Sequence, residues 1–174
     1  SCNFKCSFCQ NHSISFASVD DYPMKSATAE KIVGEAIKSG CRSIAWTYNE
    51  PVIYLEFTVE TSKLARARDL KSIYVTNGFF SPTSARIIGE SIDAANIDIK
   101  AFRERFYTKV ARGHLEPVIR SCEYLKDRIH LELTYLIIPT KNDDMDEIKE
   151  FSRWVVDALG KETPVHFSRF HPDH

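Results

Sequence analysis

Hydrophobic residues recur along most of the chain in two patterns, one typical of helices and one typical of strands, and the two patterns alternate. Between residues 28 and 40 the pattern predicts a helix that Thr28 caps and Gly40 ends. The expected buried stripe of this helix is Ile32, Val33, Ala36 and Ile37. Short apolar runs predict strands over 43–47, 72–76, 94–99, 130–138 and 165–170. Further helical patterns lie between these strands, over 52–68, from a Ser81 cap and Pro82 onward, and over 103–109, 116–127 and 144–159.

Strands that alternate with helices at this spacing predict successive crossover units, and therefore an α/β fold built on a parallel sheet. Five strands are readable in the chain. Periodicity does not separate an open doubly wound sheet from a curved partial barrel. In both architectures the functional groups gather at the carboxyl ends of the strands.

Length and composition favour one domain over residues 1–174. The hydrophobic fraction of 43% is typical of a globular protein, and no segment has the unbroken apolar length of a membrane span. The formal charge of −1, with both signs interspersed, gives no basic surface for a nucleic acid. We therefore expect a cytoplasmic protein without a nucleic-acid or membrane partner.

Three cysteines are crowded into the segment 1–15, which reads SCNFKCSFCQNHSIS. Cys2, Cys6 and Cys9 are too close for regular disulfides and odd in number, so metal ligation is the better interpretation. Thiolates select zinc, copper(I) or iron–sulfur clusters, and three ligands for a four-cornered site leave one corner open. The alternative is a structural zinc site that His12 completes. The remaining cysteines, Cys41 and Cys122, are expected to be small core residues.

Polar residues follow the predicted strands at the points where they end. These positions are Glu50, Asn77, Asp98, Lys100, Pro139 and the run Arg169-Phe170-His171. Because carboxyl ends of parallel strands meet at one edge of the sheet, these groups should converge beside the cysteine segment. Such convergence favours an active site over a zinc-stabilised loop.

The cysteine spacing, with Phe8 directly before the third cysteine, resembles the signature of the radical S-adenosylmethionine (SAM) superfamily. The closer resemblance is to pyruvate formate-lyase activating enzymes and to radical SAM proteins of the AmmeMemoRadiSam group. It extends over essentially all 174 residues. The matching pieces are Cys9-Gln10-Asn11, Thr76-Asn77-Gly78-Phe79, Ile97-Asp98-Ile99-Lys100, Ile138-Pro139, Asn142-Asp143-Asp144 and Phe170-His171.

The resemblance implies a TIM-barrel-like partial (β/α)6 barrel whose first strand precedes residue 1, so that the chain would be a fragment of a longer protein. It implies a 4Fe-4S cluster on Cys2, Cys6 and Cys9, with SAM bound to the remaining iron. Glu50, in the run Tyr48-Asn49-Glu50-Pro51, would accept from the methionyl ammonium of SAM. Further implied cofactor-binding residues are Tyr48, Asn49, Asn77, Asp98, Lys100 and His171.

The implied activity is reductive cleavage of SAM to a 5′-deoxyadenosyl radical that abstracts hydrogen from a substrate. The implied partners are a protein or peptide substrate, such as a glycyl radical enzyme, and an electron donor such as flavodoxin or ferredoxin. Several departures from the activating enzymes put the substrate in question. Tyr48 and Asn49 replace paired glycines, Val75 replaces an aspartate, Thr134 an arginine and Thr140 a glycine.

Two other hypotheses stay open. One is a radical modification of a different protein or of a small molecule by the same cluster chemistry. The other is a zinc-binding module without catalysis.

Overall fold

The computed structural model describes residues 1–22 and 26–172. Its centre is a sheet of five parallel strands whose spatial order is their order in the chain. The strands are β1 (Ser43–Trp46), β2 (Lys71–Thr76), β3 (Ala94–Ile99), β4 (His130–Ile137) and β5 (Val165–Arg169). The predicted α/β fold with a parallel sheet is confirmed, and the strand ends differ from the prediction by no more than a residue or so.

Helices occupy each connection between the strands. The longer ones are α1 (Ala29–Lys38), α2 (Leu55–Arg66), α3 (Pro82–Ser91), α4 (Leu115–Leu125) and α5 (Met145–Trp154). Shorter pieces are the helix His12–Ser15, the 3-10 turns Val19–Asp21 and Pro51–Tyr54, and the helix Glu104–Phe106. Two π-helical turns, Tyr107–Ala111 and Val155–Leu159, extend the helices that precede them.

Side-chain caps define where several helices begin. The Thr28 hydroxyl accepts from the amide of Lys31 at 3.3 Å, and Ser81 Oγ accepts from the amide of Ser84 at 3.1 Å. Proline directly follows Ser81, at a position whose amide would lack a partner in any case. The predicted starts of α1 and α3 are therefore confirmed.

The two faces of the sheet have different surroundings. Side chains of β3 and β4 that point toward the helices, among them Ile97, Leu133 and Tyr135, are fully buried in one core. The alternating side chains, such as Asp98 and Thr134, line an open cavity instead. Helices α2, α3 and α4 pack side by side in a single layer. A sheet covered by helices on one face only is a partial barrel rather than a doubly wound sheet.

Two residues expected in the core are exposed. Val33 of α1 packs with Ala65 and Leu70, but Ile37 lies beyond this cluster in the last turn and is 45% exposed. Cys122 is buried as expected, whereas Cys41 is exposed. Cys41 follows the end of α1 in the turn before β1, where the chain runs over the surface.

Within residues 1–22 and 26–172, the helices all fall short of the length and apolar character that a membrane crossing requires.

Candidate functional site

A cavity of about 300 Å³ lies at the carboxyl ends of the strands. Its walls come from the amino-terminal cysteine segment, from the residues that end β1, β2 and β3, and from residues of β4 and β5. Nine of the residues predicted for the site line it: Cys2, Cys6, Cys9, Tyr48, Asn49, Glu50, Asn77, Asp98 and Lys100. Of the residues expected to converge from the strand ends, Glu50, Asn77, Asp98 and Lys100 therefore lie together at the cavity, whereas Pro139 and the run Arg169-Phe170-His171 are not among its lining residues.

The cysteine segment is held against the barrel by Phe4, which lies between the first two cysteines and is only 1% exposed. A Cβ atom added to Gly113 would lie 2.2 Å from Cε1 of Phe4, so the ring occupies space that only glycine leaves free. Main-chain bonds extend the docking, since the amide of Lys5 donates to Ala111 O at 2.9 Å and that of Ser7 to Val110 O at 3.2 Å. The segment is thus fixed on the π-helical turn.

The cysteine thiols occupy different environments within the cavity. Cys2 Sγ accepts from the amide of Phe4 at 3.4 Å and from Asn77 Nδ2 at 3.6 Å. Burial raises the pKa of the Cys6 thiol to about 12, although the nearby Lys100 ammonium opposes this shift. A thiolate at Cys6 therefore requires a further cation, and a bound metal supplies one.

Glu50 is 3% exposed and fully engaged by its neighbours. Its carboxylate accepts from the Thr76 hydroxyl at 2.7 Å, the amide of Asn77 at 2.8 Å and the amide of Val52 at 3.2 Å. Burial raises the pKa of Glu50 to about 7, while these three hydrogen bonds favour the charged form. The side chain is a rigid acceptor whose charge state changes near neutral pH.

Asp98 and Lys100 form an ion pair at the end of β3, with 2.8 Å between Asp98 Oδ2 and Lys100 Nζ. Burial alone would lower the pKa of Lys100, but Asp98 and the Cys6 side chain raise it above its usual value. The backbone of Lys100 is also held, because its amide donates to the Tyr107 hydroxyl at 3.0 Å. A cation is thus placed next to the cysteines.

Two histidines from the sequence hypotheses lie elsewhere. His171 is exposed, and the described residues that line the cavity do not include it, so its cofactor-binding role stays a prediction. His12 Nδ1 lies 3.3 Å from the carbonyl oxygen of Cys9. Within the described ranges, no three histidine, cysteine or acidic side chains are arranged to hold a single metal ion. The zinc site therefore stays a prediction, and so does the set of cluster ligands.

Other residues belong to the site although the sequence hypotheses gave them no role in it. The Thr76 hydroxyl holds Glu50, and Asn142 holds the carbonyl of Lys100 at 2.7 Å. Thr134 and Ser168 line the cavity from β4 and β5. Thr76 and Asn142 both lie in runs that carried the resemblance, so the signal was present, but no pattern in the chain names their partners.

Fold and site together define a partial-barrel α/β protein with a thiol-rich cavity at its strand ends. Residues 1–154 match the sequence profile of the Radical SAM superfamily. The chain therefore belongs to the radical SAM superfamily, which confirms that resemblance.

A relative is known from Methanocaldococcus jannaschii, where it is named only as an uncharacterised protein. It is 42% identical over 174 residues, which cover 99% of this chain and 51% of the relative. The chain thus spans about half the length of the curated relative that it matches.

Solved structures with the same fold include Streptococcus suis SuiB bound to the precursor peptide SuiA. The TM-score is 0.73 at 14% identity, and the match covers 98% of this chain and 37% of SuiB. A domain of a pyruvate-formate lyase-activating enzyme from Bacteroides vulgatus has a TM-score of 0.62 at 13% identity, over 70% of this chain and 76% of that domain. These similarities confirm the predicted barrel-like core.

The superfamily implies a 4Fe-4S cluster and SAM, and the donor set of the cavity fits both groups. Three thiols from one segment face a shared space beside a half-buried lysine, Lys100. Thiolates are the ligands that iron–sulfur clusters use. Glu50 offers a fixed carboxylate for a cationic group, and Lys100 offers a cation for an anionic one.

Proposed function

We propose that the protein is a radical SAM enzyme that acts on a peptide or protein substrate. The single observation that carries this proposal is the convergence of Cys2, Cys6, Cys9, Glu50 and Lys100 on one cavity. When bound, the cluster and SAM supply a one-electron reductive cleavage whose product is a 5′-deoxyadenosyl radical for hydrogen abstraction. Residues of this chain bind the cluster and SAM, orient them and exclude water.

Cys2, Cys6 and Cys9 are the proposed cluster ligands. Asn77 orients the first of them through its 3.6 Å contact with Cys2 Sγ, and it is itself anchored by a 2.7 Å bond from Nδ2 to Asn3 Oδ1. Phe4 and Phe8 lie between the ligands and pack against Phe79 and Phe106, with ring centroids 5.0 Å and 5.8 Å apart. These rings keep water away from one side of the cavity.

Charged side chains are proposed to bind the oppositely charged groups of SAM. Glu50 would accept from the methionyl ammonium, and Tyr48 and Asn49 line the adjoining wall. Lys100, held by Asp98, faces the carboxylate of SAM as a point charge. Both side chains are fixed before ligand binds, so little ordering is needed on binding.

The proposal also includes a substrate class, which is a peptide or a protein. SuiB, which has the same fold, was solved with a precursor peptide, and this supports a peptide partner for the present chain. Activation of a glycyl radical enzyme is the narrower form, supported by the fold of the activating-enzyme domain. Val75 and Thr134 in the cavity wall are uncharged, whereas the activating enzymes have an aspartate and an arginine at these positions. This difference favours a broader substrate class, in which another peptide or a small molecule is modified. Flavodoxin or ferredoxin is the proposed electron donor.

Anaerobic reconstitution with iron and sulfide tests the cluster. We expect about four irons and four sulfides per chain, brown absorbance that bleaches on reduction, and release of 5′-deoxyadenosine from SAM. Cys6→Ala should remove the cluster, whereas the exposed Cys41→Ala is the matched control and should retain it. Glu50→Gln should retain the cluster and weaken SAM binding. A stoichiometric zinc ion that Cys6→Ala removes, with no iron taken up, would contradict the proposal.

The narrower activity needs its own measurement. Incubation with SAM, reductant and a glycyl radical enzyme should give a stable glycyl radical signal in electron paramagnetic resonance. Release of 5′-deoxyadenosine without such a signal would support a radical SAM enzyme and contradict glycyl-radical activation.

A further inference from the structure

Basic side chains are concentrated around the cysteine segment. Segments 1–15 and 103–113 together contain five lysine or arginine residues and one acidic residue, whereas the whole chain has a formal charge of −1. Four of the five are exposed and lie outside the set of described residues that line the cavity. These four, Lys5, Arg105, Lys109 and Arg112, form what we call the basic surface.

The charges of the basic surface are not neutralised by neighbouring acids. Within residues 1–22 and 26–172, none of its four members has a carboxylate at ion-pair distance. Arg103, in contrast, pairs with a glutamate of α5 at 2.6 Å, and the Glu104 carboxylate lies 2.7 Å from His114 Nδ1. The Lys5 ammonium contacts a ring, that of Phe16, at 4.8 Å from its centroid. Surface charges of one sign attract a partner of the opposite sign.

The backbone of Arg112 supports a role for its side chain. Arg112 ends the π-helical turn Tyr107–Ala111 with a φ angle of +63°, in the left-handed region. Glycine is the residue that most often ends a helix in this conformation. Because Arg112 is exposed, packing does not explain an arginine here. Unfavourable backbone positions of this kind are concentrated at functional sites.

The basic surface lies close behind the cysteine thiols. The amides on either side of Cys6 donate to Ala111 O at 2.9 Å and to Val110 O at 3.2 Å, and Lys109 and Arg112 directly flank these two residues. A protein bound to this surface would be separated from the Cys6 thiol by two adjacent main-chain segments. Because electron transfer between proteins falls steeply with distance, the surface is well placed for a redox partner.

We propose that the basic surface is the docking site of an acidic one-electron carrier protein. The inference rests on the proposed function, since only a cluster on Cys2, Cys6 and Cys9 gives the electron a destination. One electron passes from the reduced carrier, which is oxidised, to that cluster, which is reduced, and no covalent bond forms or breaks. Complexes of this kind have small interfaces and depend on electrostatic attraction, which an exposed set of unpaired cations provides.

Two experiments test the docking site with an acidic ferredoxin as the probe. The first measures the initial rate of 5′-deoxyadenosine release by anaerobically reconstituted protein at limiting reduced ferredoxin, and in parallel with dithionite, a small reductant that needs no docking surface. The second cross-links the same protein to oxidised ferredoxin with a carbodiimide, which joins lysine amines to carboxylates, and identifies the joined lysines by mass spectrometry. This second readout does not depend on activity.

The test variant is Lys109→Gln/Arg112→Gln. Its matched control is Lys38→Gln/Arg68→Gln, which removes the same two charges from exposed positions at the ends of α1 and α2, at the amino end of the sheet. Arg112→Lys keeps the charge and changes the shape of the group that carries it.

We expect the test variant to slow the ferredoxin-driven rate roughly five- to twenty-fold at low ionic strength, and added salt should reduce the difference. The control variant and Arg112→Lys should keep the rate of the unaltered protein, because attraction depends on charge at this surface. The dithionite-driven rate should be the same in all variants. Cross-links should form at Lys5 and Lys109 and not at Lys38.

Several outcomes overturn the inference. Equal ferredoxin-driven rates in the test and control variants would reject the docking site, as would cross-links at Lys38 in place of Lys109. An equal slowing with dithionite would assign the two side chains to support of the cysteine segment. Binding of a single-stranded RNA that the test variant loses, with an unchanged ferredoxin-driven rate, would assign the surface to a nucleic acid.

Failure of the docking site and failure of the proposed function give different results. If the unaltered protein releases 5′-deoxyadenosine with dithionite but not with reduced ferredoxin, only the docking site is rejected. If it releases none with either reductant, the proposed function is contradicted as well.

Discussion

Charged side chains at the two ends of the sheet differ in burial and in how completely they are hydrogen-bonded. At the carboxyl end Glu50 is 3% exposed and has three hydrogen-bond donors around it. At the amino end, on the same face of β4 and β5, Glu132 accepts from His130 and His166 at 3.0 Å and 2.8 Å, and both histidines are exposed. Buried charges require complete partnering, whereas exposed ones tolerate loose pairs. The difference indicates that precise geometry is concentrated where the cavity lies.

Asn142 illustrates how that geometry is maintained. It is fully buried, and its Oδ1 accepts from the amide of Ile138 at 2.7 Å. Its Nδ2 donates to the carbonyl oxygens of Lys100 and Leu136, each at 2.7 Å. One amide side chain thus joins the end of β3 to the end of β4. The position of the Lys100 backbone depends on this link.

The largest effect is expected for Asn142→Ala. It leaves one amide and two carbonyl groups without their present partners in a buried region, so we expect a loss of about 3–5 kcal/mol in the free energy of unfolding. Urea denaturation of the metal-free protein under reducing conditions measures it. Asp143→Ala, at an exposed neighbour, is the control and should change stability by less than about 0.5 kcal/mol. Similar values for the two variants would contradict the assigned role of Asn142.

The next effect concerns the pH dependence of stability at Glu50. Its folded-state pKa of about 7 lies above the ordinary 4.5 because burial penalises the carboxylate. The folded protein therefore binds more protons than the unfolded chain between these values, and stability falls as pH rises through this window. The expected decline from Glu50 is about 3 kcal/mol between pH 4.5 and 7.

Glu50→Gln should remove that decline, since the amide does not titrate. The measurement compares unfolding free energies at pH 5 and pH 8 for both proteins. Glu162→Gln serves as the control, because the Glu162 side chain is 90% exposed and should leave the pH profile unchanged. Parallel profiles for the unaltered protein and Glu50→Gln would mean that the Glu50 carboxylate is stabilised as fully as in water.

The sequence predicted the architecture well because its determinants are local. Strand β4 alternates polar and apolar residues before an apolar end that Pro139 follows, and Ser81-Pro82 marks the start of α3. The site followed from one topological rule, that strand ends meet at one edge. Glu50, Asn77, Asp98 and Lys100 were located by that rule and line the cavity together.

The supporting contacts were not predictable because they join residues far apart in the chain. Asn142 and Lys100 are separated by 42 positions, and the space for Phe4 is provided by a glycine at position 113. The positive φ of Tyr48 is likewise imposed by Asn11 and Ser15 from another segment. Local propensity at a tyrosine favours negative φ, so only the folded chain reveals the exception.

The smallest effect is expected at the amino end, for His166→Ala. Its side chain is 53% exposed and that of Glu132 33%, so solvent screens the pair. The two histidines lower the pKa of Glu132, so the pair stabilises the fold above the ordinary pKa of that carboxyl, and this contribution is lost as pH falls through the lowered value.

We therefore expect His166→Ala to cost less than about 1 kcal/mol in the free energy of unfolding at neutral pH, because solvent screens the pair. A double-mutant cycle with Glu132→Gln separates this pair from the contribution of His130. SAM affinity should be unchanged in both variants, because neither residue lines the cavity, whereas Glu50→Gln should reduce it. A cost of several kcal/mol at His166 would remove the contrast between the two ends, since it would require the amino-end pair to be as dependent on its partners as the buried Glu50.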